Sequence, residues 1–210
     1  MINLAIADDH PVVREGLKRL VTETPGIEVV CEAADSREIA PMLKENQVDI
    51  LLLDISMPGG RFLDTLQRIR TATPAVKVLV LSIHPEGQYA LRAHKAGAWG
   101  YLSKDRSGEE LVKAVQQIHQ GRRYISVALA ELLLDQNMDG ATETALERLS
   151  NREYEILCML GSGMRPKDIA TELSLSPKTV SAHRKNILQK LALESTPELI
   201  RYAIEQGLVG

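Results

Sequence analysis

The sequence predicts an α/β unit built on a doubly wound, five-stranded parallel sheet, followed by a small all-α unit of four helices. Three observations carry that expectation. Five short apolar runs are each followed by a stretch of helical periodicity, the alternation a parallel sheet requires. Several runs are apolar along nearly their whole length, as strands covered on both faces must be. Beyond residue 150 no strand pattern appears and only the 3.6-residue period remains.

Residues 2–7 read as the first buried strand, and Pro11 then suits the first turn of a helix whose apolar stripe is Val13, Leu17, Leu20 and Val21. The same step recurs at 28–31 with 36–45, 49–53 with 62–71, 77–81 with 87–95, and 99–102 with 107–120. After Tyr124-Ile125, residues 127–134 look helical and lead into 135–144, which hold too few apolar side chains to pack and read as a linker. The boundaries expected are therefore 1–124 for the sheet unit, 125–147 for a connecting helix and linker, and 148–210 for the helical unit. Within the last, helices are expected near 150–160, 166–173, 177–191 and 197–205.

Two units fit comfortably in 210 residues, each large enough to bury a core. The net charge of -3 hides an asymmetry: from Arg148 onward nine Lys and Arg face seven Asp and Glu, against sixteen and twenty-one before it. The halves thus carry about +2 and -5, so the second is the one suited to an anionic partner. Cys31 and Cys158 fall in different halves within apolar surroundings, which favours buried free thiols over a disulfide and suits a reducing cytoplasm. No run approaches the roughly 20 apolar residues of a membrane span, and Met1-Ile2-Asn3-Leu4 lacks a basic leader, so a cytoplasmic location is expected.

The strand ends carry the chemistry. In an open parallel sheet the carboxyl ends of neighbouring strands meet at one crevice, so Asp8, Asp9, Asp54, Ser82 and Lys104 should converge although they span almost a hundred positions. Three carboxylates form an oxygen cage for Mg2+, while Lys104 supplies a point charge and Ser82 a hydroxyl to phosphoryl oxygens. Those are the parts for in-line phosphoryl transfer to a carboxylate nucleophile. His84, His94 and His119 show no ligand spacing with a Cys or a second His, and His10 before Pro11 reads as a loop residue without chemistry.

Asp8-Asp9, Asp54 with Ile55-Ser56-Met57-Pro58-Gly59, Leu81-Ser82, and Ala96-Gly97-Ala98-Trp99-Gly100-Tyr101-Leu102-Ser103-Lys104 resemble the receiver domain of a two-component response regulator, which has a flavodoxin-like fold. The resemblance implies that Asp54 accepts phosphate from a sensor histidine kinase. It also implies Mg2+ on Asp9, Asp54, the Ser56 carbonyl and, through water, Asp8. Ser82 and Tyr101 would form a switch pair, and Lys104 would hold the phosphoryl group. The chain departs from the family at Phe62, where Gly is usual, and at Asp105, where Pro is usual. A phosphohydrolase that passes through an aspartyl phosphate is a poorer match, since its nucleophile and acid stand two residues apart and Asp8 and Asp9 are adjacent.

In the second unit a short helix from Pro166 is followed by a tight turn, a cap at Ser176 and a new helix from Pro177, which is helix-turn-helix spacing. No acid occurs between Glu172 and Glu194, so the new helix offers a cationic surface to DNA phosphates. Leu149-Ser150-Asn151-Arg152-Glu153, Asp168-Ile169-Ala170 and Ser176-Pro177-Lys178-Thr179-Val180-Ser181-Ala182-His183 with Lys190-Leu191 resemble the LuxR-type DNA-binding domain. With the receiver, the whole chain is similar to a NarL/FixJ-type response regulator. Position in that motif puts Ser181, Ala182 and Lys185 at base edges, Lys178, Thr179, Arg184 and Lys190 at phosphates, and His183 at either. The resemblance implies a transcriptional regulator that is not an enzyme beyond its own phosphoryl transfer and dephosphorylation. It further implies a homodimer on double-stranded promoter DNA, with RNA polymerase as another candidate partner. A regulator of the same fold that binds DNA independently of phosphate is the alternative.

Overall fold

The computed structural model describes residues 1–60, 62–82, 87–138, 145–146, 148–173 and 175–209. The chain divides into two compact units, Met1–Leu133 and Leu134–Gly210.

The first unit alternates strands and helices: β1 (Ile2–Ala7), α1 (Pro11–Thr22), β2 (Ile27–Ala33), α2 (Ser36–Glu45), β3 (Ile50–Asp54), α3 (Phe62–Ala72), β4 (Lys77–Ser82), α4 (Gly87–Ala96), β5 (Gly100–Ser103) and α5 (Gly108–His119). All pairings are parallel and the order is β2-β1-β3-β4-β5, so the direction of winding reverses beside β1. One face of the sheet, with Leu4, Ile6, Ile50, Leu52, Leu79 and Leu81, packs on α1 and α5 through Val21, Leu111, Val115 and Ile118. Central β3 is buried at every position, whereas β2 at the edge exposes Glu28 and Glu32. That edge position explains why β2 runs to Ala33, two residues beyond the apolar run that predicts it.

The opposite edge is closed differently. Tyr124 pairs with Gly100 and its N–H donates to the Trp99 carbonyl at 2.9 Å, which adds one strand-like residue outside β5. Trp99 has the Lys77 ammonium 5.0 Å and the Arg123 guanidinium 5.4 Å from its ring centre, both within cation–π range. Helix α6 then runs over Val127–Met138 and includes the first four residues of the expected linker. Helical bonding continues there although the side chains turn polar; residues 139–144 of that linker lie outside the described residues. Cys158 is buried as expected, but Cys31 on the edge strand is only half-buried, and burial pushes its thiol up.

The second unit holds α7 (Asn151–Gly161), α8 (Pro166–Glu172), α9 (Pro177–Lys190) and α10 (Thr196–Glu205). Each start is specified locally. Ser150 and Glu153 form a reciprocal capping box, Ser176 accepts from the Thr179 N–H, and Ser195 accepts from the Glu198 N–H. Helix α7 packs against both α9 and α10, with Tyr154, Ile156, Leu157, Val180, Ile187, Leu199 and Ala203 buried.

Candidate functional site

Asp8 follows β1, Asp54 closes β3, Ser82 closes β4 and Lys104 follows β5. Because these four strands are adjacent and parallel, their ends share one rim of the sheet. Lys104 Nζ donates to Asp8 Oδ2 at 2.6 Å and stands 3.1 Å from Asp54 Oδ2. Asp8 is 1% exposed and Asp54 3%, so the ammonium lies between two carboxylates in nearly dry surroundings. Asp8 is pinned further, its Oδ1 accepting from the His10 N–H at 2.8 Å and its carbonyl from Arg14 Nη1 at 2.6 Å.

Burial pushes the Asp54 carboxyl above the usual carboxylate range. Lys104 pulls it back, the Asp8 charge pushes it up again, and hydrogen bonds from Lys104 and the Ser56 N–H lower it. The net result is a desolvated, more basic oxygen, which is what a nucleophile needs. Ser82 and Tyr101 are both buried. The Ser82 carbonyl accepts the Lys104 N–H at 2.7 Å, which fixes where the lysine leaves the sheet. Tyr101 sits on β5 in register with Val80.

Three carboxylates, those of Asp8, Asp9 and Asp54, share this pocket with the single ammonium of Lys104. Asp9 Oδ1 and Asp54 Oδ2 are inaccessible to solvent and neither receives a well-directed hydrogen bond, although the first lies 2.9 Å from His10 Nδ1. Ligand atoms from Asp8, Asp9, His10 and Asp54 lie within 4.8 Å of one another. Hard carboxylate oxygens in excess of their counter-charge fit a divalent cation.

The loop after Asp54 is anchored away from the sheet. The Pro58 carbonyl accepts the Ser36 N–H at 3.0 Å, and Gly59 has φ of 89°, where a Cβ would run into the Asp35 carboxylate. Asp35 caps α2, and its hydrogen bonds from Arg37 hold its carboxyl down at about 2. Ser56 is exposed at the turn, and Phe62 opens α3 half-buried.

In the second unit α9 buries Val180 and Ile187 and turns Lys178, Ser181, Ala182 and Lys185 outward, with Thr179 and His183 half-buried. Two of the residues expected at phosphates also make contacts within the unit. Lys190 Nζ donates to Glu153 Oε2 at 2.7 Å, and half-buried Arg184 reaches Thr196 Oγ1 at 3.3 Å on the start of α10. The cause of the first is Glu153, only 4% exposed. Burial alone would raise its carboxyl, but Lys190 and the Ser150 cap together hold it below the ordinary value. Charge pattern along one helix could not reveal this, because the partner lies 37 residues upstream on α7. Conversely, Asn186 and Gln189 are exposed beside Lys185, and helical spacing from Ala182 and Lys178 is the signal that reveals them.

Residues 4–116 match the response regulator receiver domain, and residues 147–203 match the luxR family of bacterial regulatory proteins. The chain is 37% identical over 209 residues to response regulator UvrY of Escherichia coli strain K12, covering 99% of this chain and 96% of the relative. It is 36% identical over 216 residues to oxygen regulatory protein NreC of Staphylococcus epidermidis, covering 99% of each. Among solved structures it resembles RcsB of Salmonella enterica serovar Typhimurium bound to promoter rprA with a phosphomimetic present. That match has a TM-score of 0.67 and 26% identity, and covers 96% of this chain and 97% of that one. A Salmonella typhimurium RcsB structure described for its conformational dynamism in DNA interaction reaches a TM-score of 0.72 at 27% identity, covering 98% of each. This chain belongs to the NarL/FixJ-type response regulators: a receiver domain joined to a LuxR-type DNA-binding domain that regulates transcription. Among the described residues, no helix is long and apolar enough to cross a membrane.

Proposed function

We propose that Asp54 is the phospho-acceptor of a two-component system and that its phosphorylation sets how the chain binds promoter DNA through α9. The observation that carries this reading is the pair of buried carboxylates of Asp8 and Asp54 with half-buried Lys104 between them, its ammonium within 3.1 Å of both. An Asp54 oxygen attacks the phosphorus of a phosphohistidine on a sensor histidine kinase; the P–O bond forms as the P–N bond breaks, and the ring, already protonated on its other nitrogen, leaves as neutral imidazole. Lys104, previously shared between two carboxylates, then pairs with a phosphoryl oxygen. Asp8, Asp9, Asp54 and the Ser56 carbonyl would hold Mg2+, which when bound neutralises charge on the phosphoryl oxygens. Ser82 at the end of β4 and Tyr101 within the adjacent β5, both buried, are the pair whose rearrangement reports the modification.

The chain turns over no separate substrate in this reading: water attacking the phosphorus returns the Asp54 carboxylate and inorganic phosphate. Lys178, Ser181, Ala182 and Lys185 meet the DNA from the exposed face of α9, Lys185 as the partner of a guanine and Lys178 at a phosphate. Thr179 and His183, half-buried on the same helix, adjoin that face. A homodimer on two half-sites, a cytoplasmic location and contact with RNA polymerase complete the reading. The test is twofold. Asp54→Asn should take up no acid-labile phosphate from a small phosphodonor with Mg2+, and site selection on random duplexes should change when a phosphoryl mimic is added to wild type. Labelling of Asp54→Asn at the wild-type level would sink the acceptor assignment.

A further inference from the structure

The outer edge of β5 is held by the segment that leads into α6, through residues that play no part in the carboxylate pocket. Tyr124 donates its N–H to the Trp99 carbonyl at 2.9 Å and its hydroxyl to Glu110 Oε1 at 2.6 Å. Arg123 Nη1 donates to the Ala98 carbonyl at 2.6 Å, its guanidinium lies over Trp99, and its own carbonyl accepts from Gln117 Nε2 at 2.8 Å. The fit is close: a Cβ at Gly100 would stand 3.0 Å from Tyr124 Cβ and 2.9 Å from Leu79 Cδ1. Strand β5 therefore cannot shift against β4 without displacing Tyr124.

The two sides of β5 are held unequally. Pairing with β4 runs the whole length of the strand, from Gly100 to Ser103, whereas Tyr124 meets it through an isolated bridge. When β5 moves, that bridge is the joint that yields. Lys104 supplies the motion: it follows β5 directly, its N–H is fixed to the Ser82 carbonyl, and its ammonium lies 3.1 Å from Asp54 Oδ2. A phosphoryl group on Asp54 redirects that ammonium and pulls on the end of the strand. We propose that Arg123 and Tyr124 form a latch, which holds the chain between α5 and α6 on β5 while Asp54 is unmodified and which phosphorylation opens. The proposal rests on Asp54 as the phospho-acceptor and goes beyond it in naming how the modification leaves the receiver domain.

Hydrogen exchange at the Tyr124 amide of the full-length chain, read by nuclear magnetic resonance with and without Mg2+ and beryllofluoride, tests it. In wild type the phosphoryl mimic should speed that exchange about tenfold, and in Asp54→Asn it should change nothing. Tyr124→Phe loses the bond to Glu110, and Arg123→Met loses the bond to Ala98 and the contact with Trp99. Before any mimic is added, both variants should exchange within about twofold of mimic-bound wild type. Both should still take up phosphate from a small phosphodonor at the wild-type level, which shows that the pocket is folded. A wild-type Tyr124 amide that ignores the mimic, in a chain that takes up phosphate on Asp54, overturns the latch and leaves the acceptor assignment standing. Resting exchange in both variants as slow as in wild type overturns the latch as well. Wild type that takes up no phosphate on Asp54 overturns both readings together.

Discussion

The carboxylate pocket and the outward face of α9 both concentrate charge of one sign, and they manage it in opposite ways. In the pocket Asp8 and Asp54 are almost completely buried, and the nearest counter-charge is a lysine held between them. On α9 the lysines at 178 and 185 stand in solvent with no acid in the sequence from 173 to 193. Burial multiplies the effect of each charge but demands compensation, which suits one small ion and a phosphoryl group. Exposure costs nothing to maintain and acts additively, which suits a long polyanion whose counterions are released on contact. Glu153 and Lys190 show where the two regimes meet: a cation on α9 is tied to a buried acid of the core.

The largest effect should come from removing the compensation in the pocket. Lys104→Ala leaves Asp8 and Asp54 facing each other without their ammonium, and should lower the stability of the cation-free receiver unit by about 3 kcal/mol. The same variant should bind a divalent cation more tightly than wild type, since the cation no longer competes with the lysine. Thermal unfolding with and without cation measures both, and an unchanged cation-free melting temperature would show that the pocket is not under the electrostatic load argued here. Asp54→Asn should act in the opposite direction, because a carboxyl whose charged form is disfavoured by burial is relieved on becoming neutral.

Next in size, Lys190→Met should destabilise the helical unit by about 2 kcal/mol, because Glu153 stays buried while Lys190, partly exposed, contributes less than a fully enclosed ion pair would. Denaturant unfolding followed at the second unit reads this. DNA binding weakened with unaltered stability would return Lys190 to the phosphates. Lys185→Ala should lose about tenfold in affinity for the preferred sequence and relax choice at one base pair, whereas Lys178→Ala should weaken all sequences and reduce the salt slope by about 1. Titrations on selected and random duplexes at several salt concentrations separate the two.

The smallest effect is a pH slope. Glu153 is held below its ordinary value of 4.5 in the folded unit, so its stabilisation is complete above that value and is lost as pH falls through the lowered folded value. Unfolding of wild type should therefore become easier below about pH 4.5 more steeply than that of Glu153→Gln. Parallel slopes would mean that the capping box and Lys190 favour the neutral acid as much as the anion.

Much of this was readable along the chain because the relevant rules are local. Ser176 before Pro177 marks a helix start by residue type alone, and the structure begins α9 there. The strand ends were legible for a related reason: alternation fixes a parallel sheet, and a parallel sheet gathers its carboxyl ends. Other features were not. His10 reads in sequence as a loop residue, and only the turn after β1 brings its imidazole against Asp9. Arg184 and Lys190 read as surface cations until α10 and α7 are packed beside them. Helix α6 continues through 135–138, where composition indicated a linker, because composition weighs burial and helix propagation needs little of it.

By itself, then, the sequence determined the alternation of strands and helices, the helix starts and the convergence of Asp8, Asp9, Asp54, Ser82 and Lys104, since each follows from periodicity, capping chemistry or strand order. Tertiary structure decided how charges are spent: which acid Lys104 and Lys190 face, how far burial raises Asp54, and where His10 points. Those depend on distances of a few ångströms between residues remote in the chain, and electrostatic energy in a low-dielectric interior changes steeply over that scale.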